Sequence, residues 1–353
     1  MRVIACLSGG VDSSVAALLL KQAGHEVVGL TFWFWSNGSK SERAANTCCG
    51  LDAAAQAAAQ LGIPHHVVDA SETFRHVVID NYVTQLRKGL TPNPCGRCNR
   101  YVRFDLALSF ARDNGFEAIA TGHHIRRAVE SDGSIALYRG TDANKDQTYF
   151  LYGLDAQDLA HIRFPIGEMT KEQIYDVARA AGLTAVELPE SQDLCFAAGQ
   201  DVGRLFSDAD QGPGPIVDPS GNPIGTHDGL HRYTIGQRRG LAVPSTSPLY
   251  VVDIDAATNT IVVGPEEALL SDRLIAVDAN YLVPPPDIPE TVEAKIRYRS
   301  PAAQAALTQL SGDSFALTFQ DPQRAITPGQ LAVLYKGDRL LGGGTIVRNP
   351  STQ

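Results

Sequence analysis

The sequence predicts an α/β protein: a doubly wound parallel-sheet domain, then a small β-rich central domain, then a C-terminal β-barrel. Three observations carry that expectation. Through the first half, short apolar runs alternate with helical stretches, the rhythm of parallel strands joined by crossover helices. Between 207 and 244 the texture breaks into closely spaced turn residues, GPGP at 212–215 and DPSGNP at 218–223. Beyond Pro248 the chain reads as successive strands separated by tight turns. A chain of 353 residues suits two or three domains at about 150 residues each, and the texture changes place them at 1–196, 197–268 and 269–353.

The elements follow in order. Val3–Leu7 is apolar enough for a buried strand, and Ser13–Ala23 is a helix with Val15, Leu18, Leu19 and Ala23 on one face, ended by Gly24. Glu26–Phe34 is the second strand. Ala53–Leu61 is an alanine-rich helix closed by Gly62, with Asp52 placed to cap its start. His65–Asp69 is the third strand, Arg103–Asn114 a helix, and Ala118–Thr121 the fourth strand. Lys171–Ala181 is a further helix, ended by Gly182. LYVVDI, a DAATN turn and TIVVG make a hairpin, and SFALTF, QLAVLY and LLGGGTIV are three strands of the barrel.

Composition limits what such a protein does. With 44% hydrophobic residues it can bury real cores, and no run approaches 18 consecutive apolar residues, so no membrane span is expected. The N-terminus lacks a charged start and long apolar run, which points to a cytoplasmic protein with reduced cysteines. Thirty basic against 39 acidic residues give a net charge of −9, which excludes a sequence-blind nucleic-acid coat. The acidic excess lies before residue 269, since 269–353 holds eight residues of each sign. Within the acidic part, Arg87–Arg103 carries Arg87, Lys88, Arg97, Arg100 and Arg103 and no acid, a local groove for a polynucleotide backbone.

Two constellations carry chemistry. SGGVDSS at 8–14 leaves a buried strand and opens a helix, where Gly9 and Gly10 let backbone amides approach a phosphate and the helix start adds unpaired N–H groups. Unlike a Walker A loop, it has no Lys before its Ser pair, which suits release of pyrophosphate better than γ-phosphoryl transfer. Asp12 is placed to orient Mg²⁺. The second constellation is Cys95 and Cys98 in TPNPCGRCN, with Cys195 far downstream in ESQDLCF. The basic neighbours of the CxxC are expected to lower a thiol pKa and favour thiolate. Cys6, Cys48 and Cys49 read as structural.

SGGVDSS resembles the loop of the pyrophosphatase-loop (PP-loop) ATP-dependent adenylating enzymes. That resemblance implies ATP cleaved to AMP and pyrophosphate, without choosing among amide synthetases, lysidine synthetases and RNA-thiolating enzymes. The wider set decides more. SGGVDSS, NPCGRCN, ATGHH (120–124), GTDANKDQTYFL (140–151), ESQDLCF (190–196), YTIGQRRGL (233–241), KIRYRS (295–300) and TPGQLAVLY (327–335) occur in the order found in tRNA-specific 2-thiouridylases, over nearly the whole chain. The resemblance implies ATP-dependent 2-thiolation of the wobble uridine in tRNAs of the Lys, Glu and Gln types. Sulfur would come as a persulfide from a cysteine desulfurase or sulfur carrier.

Carried over by motif, Leu7, Ser8, Gly9, Gly10, Val11, Asp12, Ser13 and Ser14 would hold ATP phosphates, and Phe32 and Gly122 the adenosine end. Cys195 would take the persulfide, and Cys98 would form a transient disulfide with it as sulfur leaves. Asn93, Pro94 and Cys95 would touch the target base. His123, Lys145, Asp146, Gln147, Arg297, Tyr298 and Gln330 would meet the tRNA. One departure stands out: many relatives have Asp where this chain has Cys95. A thiol, ordinarily near about 8.5, is a different acid–base group from a carboxylate. Three cysteines, Cys95, Cys98 and Cys195, could instead ligate a 4Fe-4S cluster with one iron open to sulfide. The alternatives to thiolation are another PP-loop ligase or RNA-modifying enzyme, and a nucleotide-sensing protein with a degenerate loop.

Overall fold

Apolar runs in the first half build the platform. Strands β1 (Arg2–Cys6), β2 (Glu26–Trp33), β3 (His65–Asp69) and β4 (Ala118–Ala120) are followed by a hairpin, β5 (Ile125–Val129) and β6 (Ile135–Arg139), and by a short β7 (Ile162–Arg163). Five of them form one sheet in the order β3-β2-β1-β4-β7, with every pairing parallel. The computed structural model describes residues 1–35, 50–187, 194–197, 202–206, 212–284, 288, 290–310 and 312–348. Cys48, Cys49 and the ESQD of ESQDLCF lie outside them.

Helices cover both faces. On one, α1 (Val11–Gln22), α2 (Leu51–Leu61) and a C-terminal helix at Lys171–Ala180 pack Val15, Ala54 and Ile174 against Val3 and Ala5 of β1. On the other, α3 (residues 71–87) and α4 (residues 94–113) pack Phe74, Val102 and Phe104 against Ile4, Val28 and Leu30. The Lys171–Ala180 helix is therefore α5. Alternate residues of β1 face opposite layers, as the pleat requires. Both α3 and α4 contain a π turn, at Arg75–Ile79 and Asn99–Arg103.

Three local expectations are corrected. Helix α1 begins at Val11, with Gly10 at its N-cap and no side-chain cap. Asp52 does not cap α2: Gly50 holds that position, and Asp52 sits inside the first turn, where its charge still favours the helix dipole. The helix expected from Arg103 begins nine residues earlier, at Pro94, and runs through the CxxC. Asn93 caps it by accepting the Gly96 N–H at 2.9 Å, and Pro94 occupies the first helical position, where a missing N–H costs nothing.

The central strands β8 (Gly214–Val217), β9 (Pro223–His227), β10 (Tyr250–Asp255) and β11 (Thr260–Gly264) form a sheet in the order β10-β11-β8-β9. The last six strands are β12 (Leu270–Tyr281), β13 (Thr291–Lys295), β14 (Ala303–Gln309), β15 (Phe315–Arg324), β16 (Leu331–Lys336) and β17 (Arg339–Val347). They close as a barrel, since β17 pairs back onto β12 around Leu274, Phe315, Leu317 and Leu334. Strand β17 also pairs with β6 at Arg339–Tyr138, so the β5–β6 hairpin extends the barrel's sheet toward the nucleotide-loop domain. The turn before β16 is bound to the segment preceding the CxxC: the Thr91 N–H donates to Pro328 O, and Gln330 Nε2 donates to Thr91 O, both at 2.9 Å. Among the described residues no helix is long and apolar enough to cross a membrane.

Candidate active site

In this sheet the strand order reverses between β1 and β4, and the crevice outside their carboxyl ends is where open α/β sheets take ligands. The SGGVDSS loop fills one side of it and Thr121–Gly122–His123 the other. A Cβ on Gly122 would stand 2.6 Å from Ser13 N and 2.7 Å from the Asp12 carbonyl carbon, so only glycine lets the two backbones meet. Ser13 Oγ donates to Gly10 O and lies 3.1 Å from both Ser8 N and Ser8 Oγ, which fixes the turn. With no side chain capping α1, its first-turn N–H groups face the crevice for an anion.

Asp12 is the loop's charged centre. Burial works to raise its pKa, but hydrogen bonds and charge from His124 and Lys171 outweigh that and hold the carboxyl below its usual range. Lys171 Nζ is 2.7 Å and His124 Nε2 3.4 Å from Asp12 Oδ1. Lys171 comes from the first turn of α5, and so brings to the loop a cation that its own sequence lacks.

His123 accepts or donates at 2.8 Å to Thr121 Oγ1, and its ring lies 5.7 Å from that of Phe104 and 6.5 Å from that of Phe164. Burial first, then the charges of Arg103 and His124, push its pKa down to about 3 against a smaller opposing effect of Asp12. The unfolded chain therefore takes up a proton near pH 6.5 that folded His123 refuses. Its stability contribution is complete above that value and lost as pH falls toward the folded pKa, at up to about 1.4 kcal/mol per unit. Denaturant unfolding at about pH 7.5 and about pH 5.5 checks this: the wild type is expected to lose more stability on acidification than His123→Gln, and equal losses would refute it.

Cys95 and Cys98 lie near the start of α4, and Cys195 on the separate turn 194–197. Cys98 is buried in the core cluster containing Phe74, Phe104 and Leu331, and Cys195 is partly buried against the same cluster. Phe196 anchors the Cys195 turn, its ring 6.2 Å from Phe74 and 5.3 Å from Tyr82. Cys95 is exposed as a residue, yet the protein around its sulfur pushes the thiol up to about 11, with Cys195 adding and Arg103 opposing. This corrects the expected thiolate at Cys95: desolvation outweighs the one arginine that reaches it. Arg97 and Arg100 are engaged elsewhere, Arg97 Nε with Val77 O at 2.6 Å and Arg100 Nη1 with Asp278 O at 2.8 Å.

Comparison with known proteins decides what these two centres belong to. Residues 1–199 match the family described as tRNA methyl transferase HUP domain, 206–265 its PRC-barrel domain, and 271–346 the aminomethyltransferase beta-barrel domain. Proteins named tRNA-specific 2-thiouridylase MnmA are similar over almost the whole chain. That of Geobacter metallireducens is 44% identical, covering 98% of this chain and 96% of its own. Those of Synechococcus sp. (strain JA-3-3Ab) and Thermus thermophilus are 45% and 44% identical, covering 98% of this chain and 94% and 95% of theirs. The chain belongs to the tRNA-specific 2-thiouridylase family.

In this thiouridylase the remaining residues expected to meet tRNA divide into two groups. Tyr298, Lys145 and Gln147 are only partly buried, and the Tyr298 ring lies 4.5 Å from that of Phe150. Gln147 Oε1 accepts the His124 N–H at 2.9 Å, linking that turn to the nucleotide loop. Others have internal work. Asp146 is buried, accepting from Thr148 Oγ1 at 2.9 Å with Arg139 at 3.7 Å. Arg297 Nη2 donates to Ile235 O, Ala325 O and Thr327 Oγ1, joining the central domain to the barrel. Phe32 is buried, its ring 5.6 Å from Phe34, and Leu7 and Pro94 are buried as well. Sequence reasoning missed Lys171, His124 and Arg103 as site residues. Lys171 carried a signal, a Thr170–Gln173 capping box that marks a helix start, but nothing local said what that start faces.

Proposed function

We propose that this ATP-dependent tRNA-uridine 2-sulfurtransferase acts on the wobble position, through an adenylated uridine and sulfur carried on Cys195. The observation that supports this most is the placement of the two centres. The phosphate loop and the cysteines are joined by one helix, α4, whose first turn holds Cys95 and Cys98 and whose Phe104 rests on His123. A base in an anticodon loop is already unpaired, so laying it between the centres needs little unstacking.

ATP would sit with its phosphates on Leu7–Ser14 and its adenosine toward Phe32 and Gly122. The uridine O2 attacks the α-phosphate, and the bond to the β,γ-phosphates breaks with release of pyrophosphate. Lys171 places a cation beside the loop, and Asp12, held ionised, is the carboxylate that would hold Mg²⁺, which would supply charge neutralisation for the departing pyrophosphate. The terminal sulfur of a Cys195 persulfide then attacks C2, and the C2–O bond breaks with its electron pair on AMP. Cys98 attacks Cys195 Sγ, which releases 2-thiouridine and leaves a Cys98–Cys195 disulfide for an external thiol reductant to reopen. Cys95, held protonated, is a proton donor near the base.

The iron–sulfur alternative is not supported by the donor set. Among the described residues no three His, Cys, Asp or Glu side chains converge as metal ligands. A cysteine desulfurase or a sulfur carrier suits the donor role, tRNAs of the Lys, Glu and Gln types the substrate role, and the cytoplasm the setting. Nucleoside mass spectrometry of tRNA from a strain lacking this gene tests the reading. Wobble 2-thiouridine is expected to vanish and to return with the gene on a plasmid; undiminished 2-thiouridine would sink it.

A further inference from the structure

We propose that Arg103 is a catalytic residue of the sulfur-transfer step, its guanidinium binding the α-phosphate of the adenylated uridine and carrying the charge of AMP as it leaves. The proposal rests on the reading above and assigns a group to the phosphate between the base and the adenosine in the second step, after pyrophosphate has left.

Its place in the fold carries the argument. Arg103 closes the π turn of α4, between the cysteines of the first turn and Phe104. The extra residue of a π turn rotates the next stretch of helix by roughly 100° relative to a regular helix, and such turns recur at functional sites. Here the Arg103 guanidinium carbon stands 5.3 Å from the centre of the Phe34 ring. Phe34 is the second in a run of four rings in contact that leads from Phe32 to Phe196. It lies 5.6 Å from Phe32, the adenosine-side residue, and 5.0 Å from Phe74, which lies 6.2 Å from Phe196, the neighbour of Cys195. Phe104, the next residue, packs on His123 at the nucleotide crevice. The arginine therefore stands at the junction of the sulfur and nucleotide sides, and its charge is felt at Cys95 on one and at His123 on the other.

The other two arginines of the CxxC stretch of this helix lie against different neighbours. Arg97 and Arg100 bind backbone carbonyls at Val77 and Asp278 and flank the Tyr101 ring at 5.0 and 4.9 Å. A guanidinium matches phosphate geometry with paired N–H donors and stays charged throughout. In the step itself a C–S bond forms and the C2–O bond breaks. Arg103 donates hydrogen bonds to the non-bridging phosphate oxygens and transfers no proton.

The test uses the full-length protein in excess over unmodified tRNA, so that each readout reports a single turnover, with ATP, dithiothreitol, and cysteine plus a cysteine desulfurase as persulfide source. Arg103→Met and Arg103→Lys are compared with wild type for tRNA-dependent pyrophosphate release and for 2-thiouridine. Loss of one preorganised donor to a developing anion costs about 100-fold or more, so Arg103→Met is expected to lose about that much thiolation while pyrophosphate release stays within about tenfold. Adenylated tRNA should then accumulate, and Arg103→Lys should recover at least about tenfold. Thiolation by Arg103→Met within about threefold of wild type would overturn the proposal, as would proportional loss of both readouts. Should Arg103→Met not fold, Arg103→Gln against Arg103→Lys decides by the same criteria. Wild-type protein that releases no pyrophosphate with tRNA would instead fault the adenylation reading itself.

Discussion

Replacing Cys195 with serine is expected to abolish 2-thiouridine formation while leaving the first turnover of tRNA-dependent pyrophosphate release intact. The hydroxyl is close to the thiol in size but cannot hold a sulfane sulfur, so no nucleophile reaches C2. The loss should be on the order of 10³ or more, as for removal of a covalent nucleophile. Cys98→Ser should fail differently. Sulfur is delivered to the base, but nothing cleaves the bond to Cys195, and tRNA remains covalently attached until reductant is added. Non-reducing gels with labelled tRNA separate the two: a reductant-sensitive adduct with Cys98→Ser, none with Cys195→Ser. Cys98 is buried, so serine there costs some stability, and Cys98→Ala gives the same adduct without burying a hydroxyl. Full multiple-turnover thiolation by either serine variant would eliminate the assigned roles.

Lys171→Met is expected to strike the other half-reaction. Its ammonium bonds Asp12 at 2.7 Å and, as a flexible three-donor cation beside the phosphate loop, can also meet phosphate oxygens. Removing it deletes the cation nearest the loop and leaves Asp12 facing the phosphates with His124 alone. Pyrophosphate release should fall by about 10² to 10³, with thiolation falling in parallel because no adenylate forms. Lys171→Arg keeps the charge and should retain a measurable fraction. The proportional loss distinguishes this variant from Arg103→Met, where thiolation falls and adenylation survives. Pyrophosphate release by Lys171→Met within about threefold of wild type would show that α5 only supports the loop.

Much of the platform was legible because strand and helix signals are local. Strands β1 to β4 and helix α5 lie where apolar runs and turn residues place them, and the phosphate loop follows from glycines beside a strand end. What the sequence could not show was set by distant partners. Asp52 has the chemistry of a cap, but the helix starts before it, and no short-range signal separates a cap from a first-turn residue. The β5–β6 hairpin has an ordinary strand pattern, and only the assembled barrel shows that its edge is taken by β17. Charge near the CxxC was countable, whereas the desolvation that defeats it at Cys95 depends on what packs over the thiol. The rings of Phe34, Phe74 and Phe196 stand in three unconnected stretches of sequence, and their alignment exists only once the sheet is wound.

The sheet shared by β6 and β17 sets where such a protein can be cut and rejoined. A crossover just before Leu270 falls at a natural linker on the chain but not in space. It would divorce Arg126 from Asp338, Tyr149 from the Leu331 carbonyl and Asn280 from the Tyr152 and Leu154 carbonyls. A barrel exchanged between relatives has to travel with residues 125–154, so the heritable unit of recombination is discontinuous in sequence. The central sheet is tied in as well, since Arg348 Nη1 meets Asp253 Oδ1 at 2.6 Å, Arg324 Nε meets Glu266 Oε1 at 2.8 Å, and Ile235, Tyr250 and Leu269 pack with Ala325.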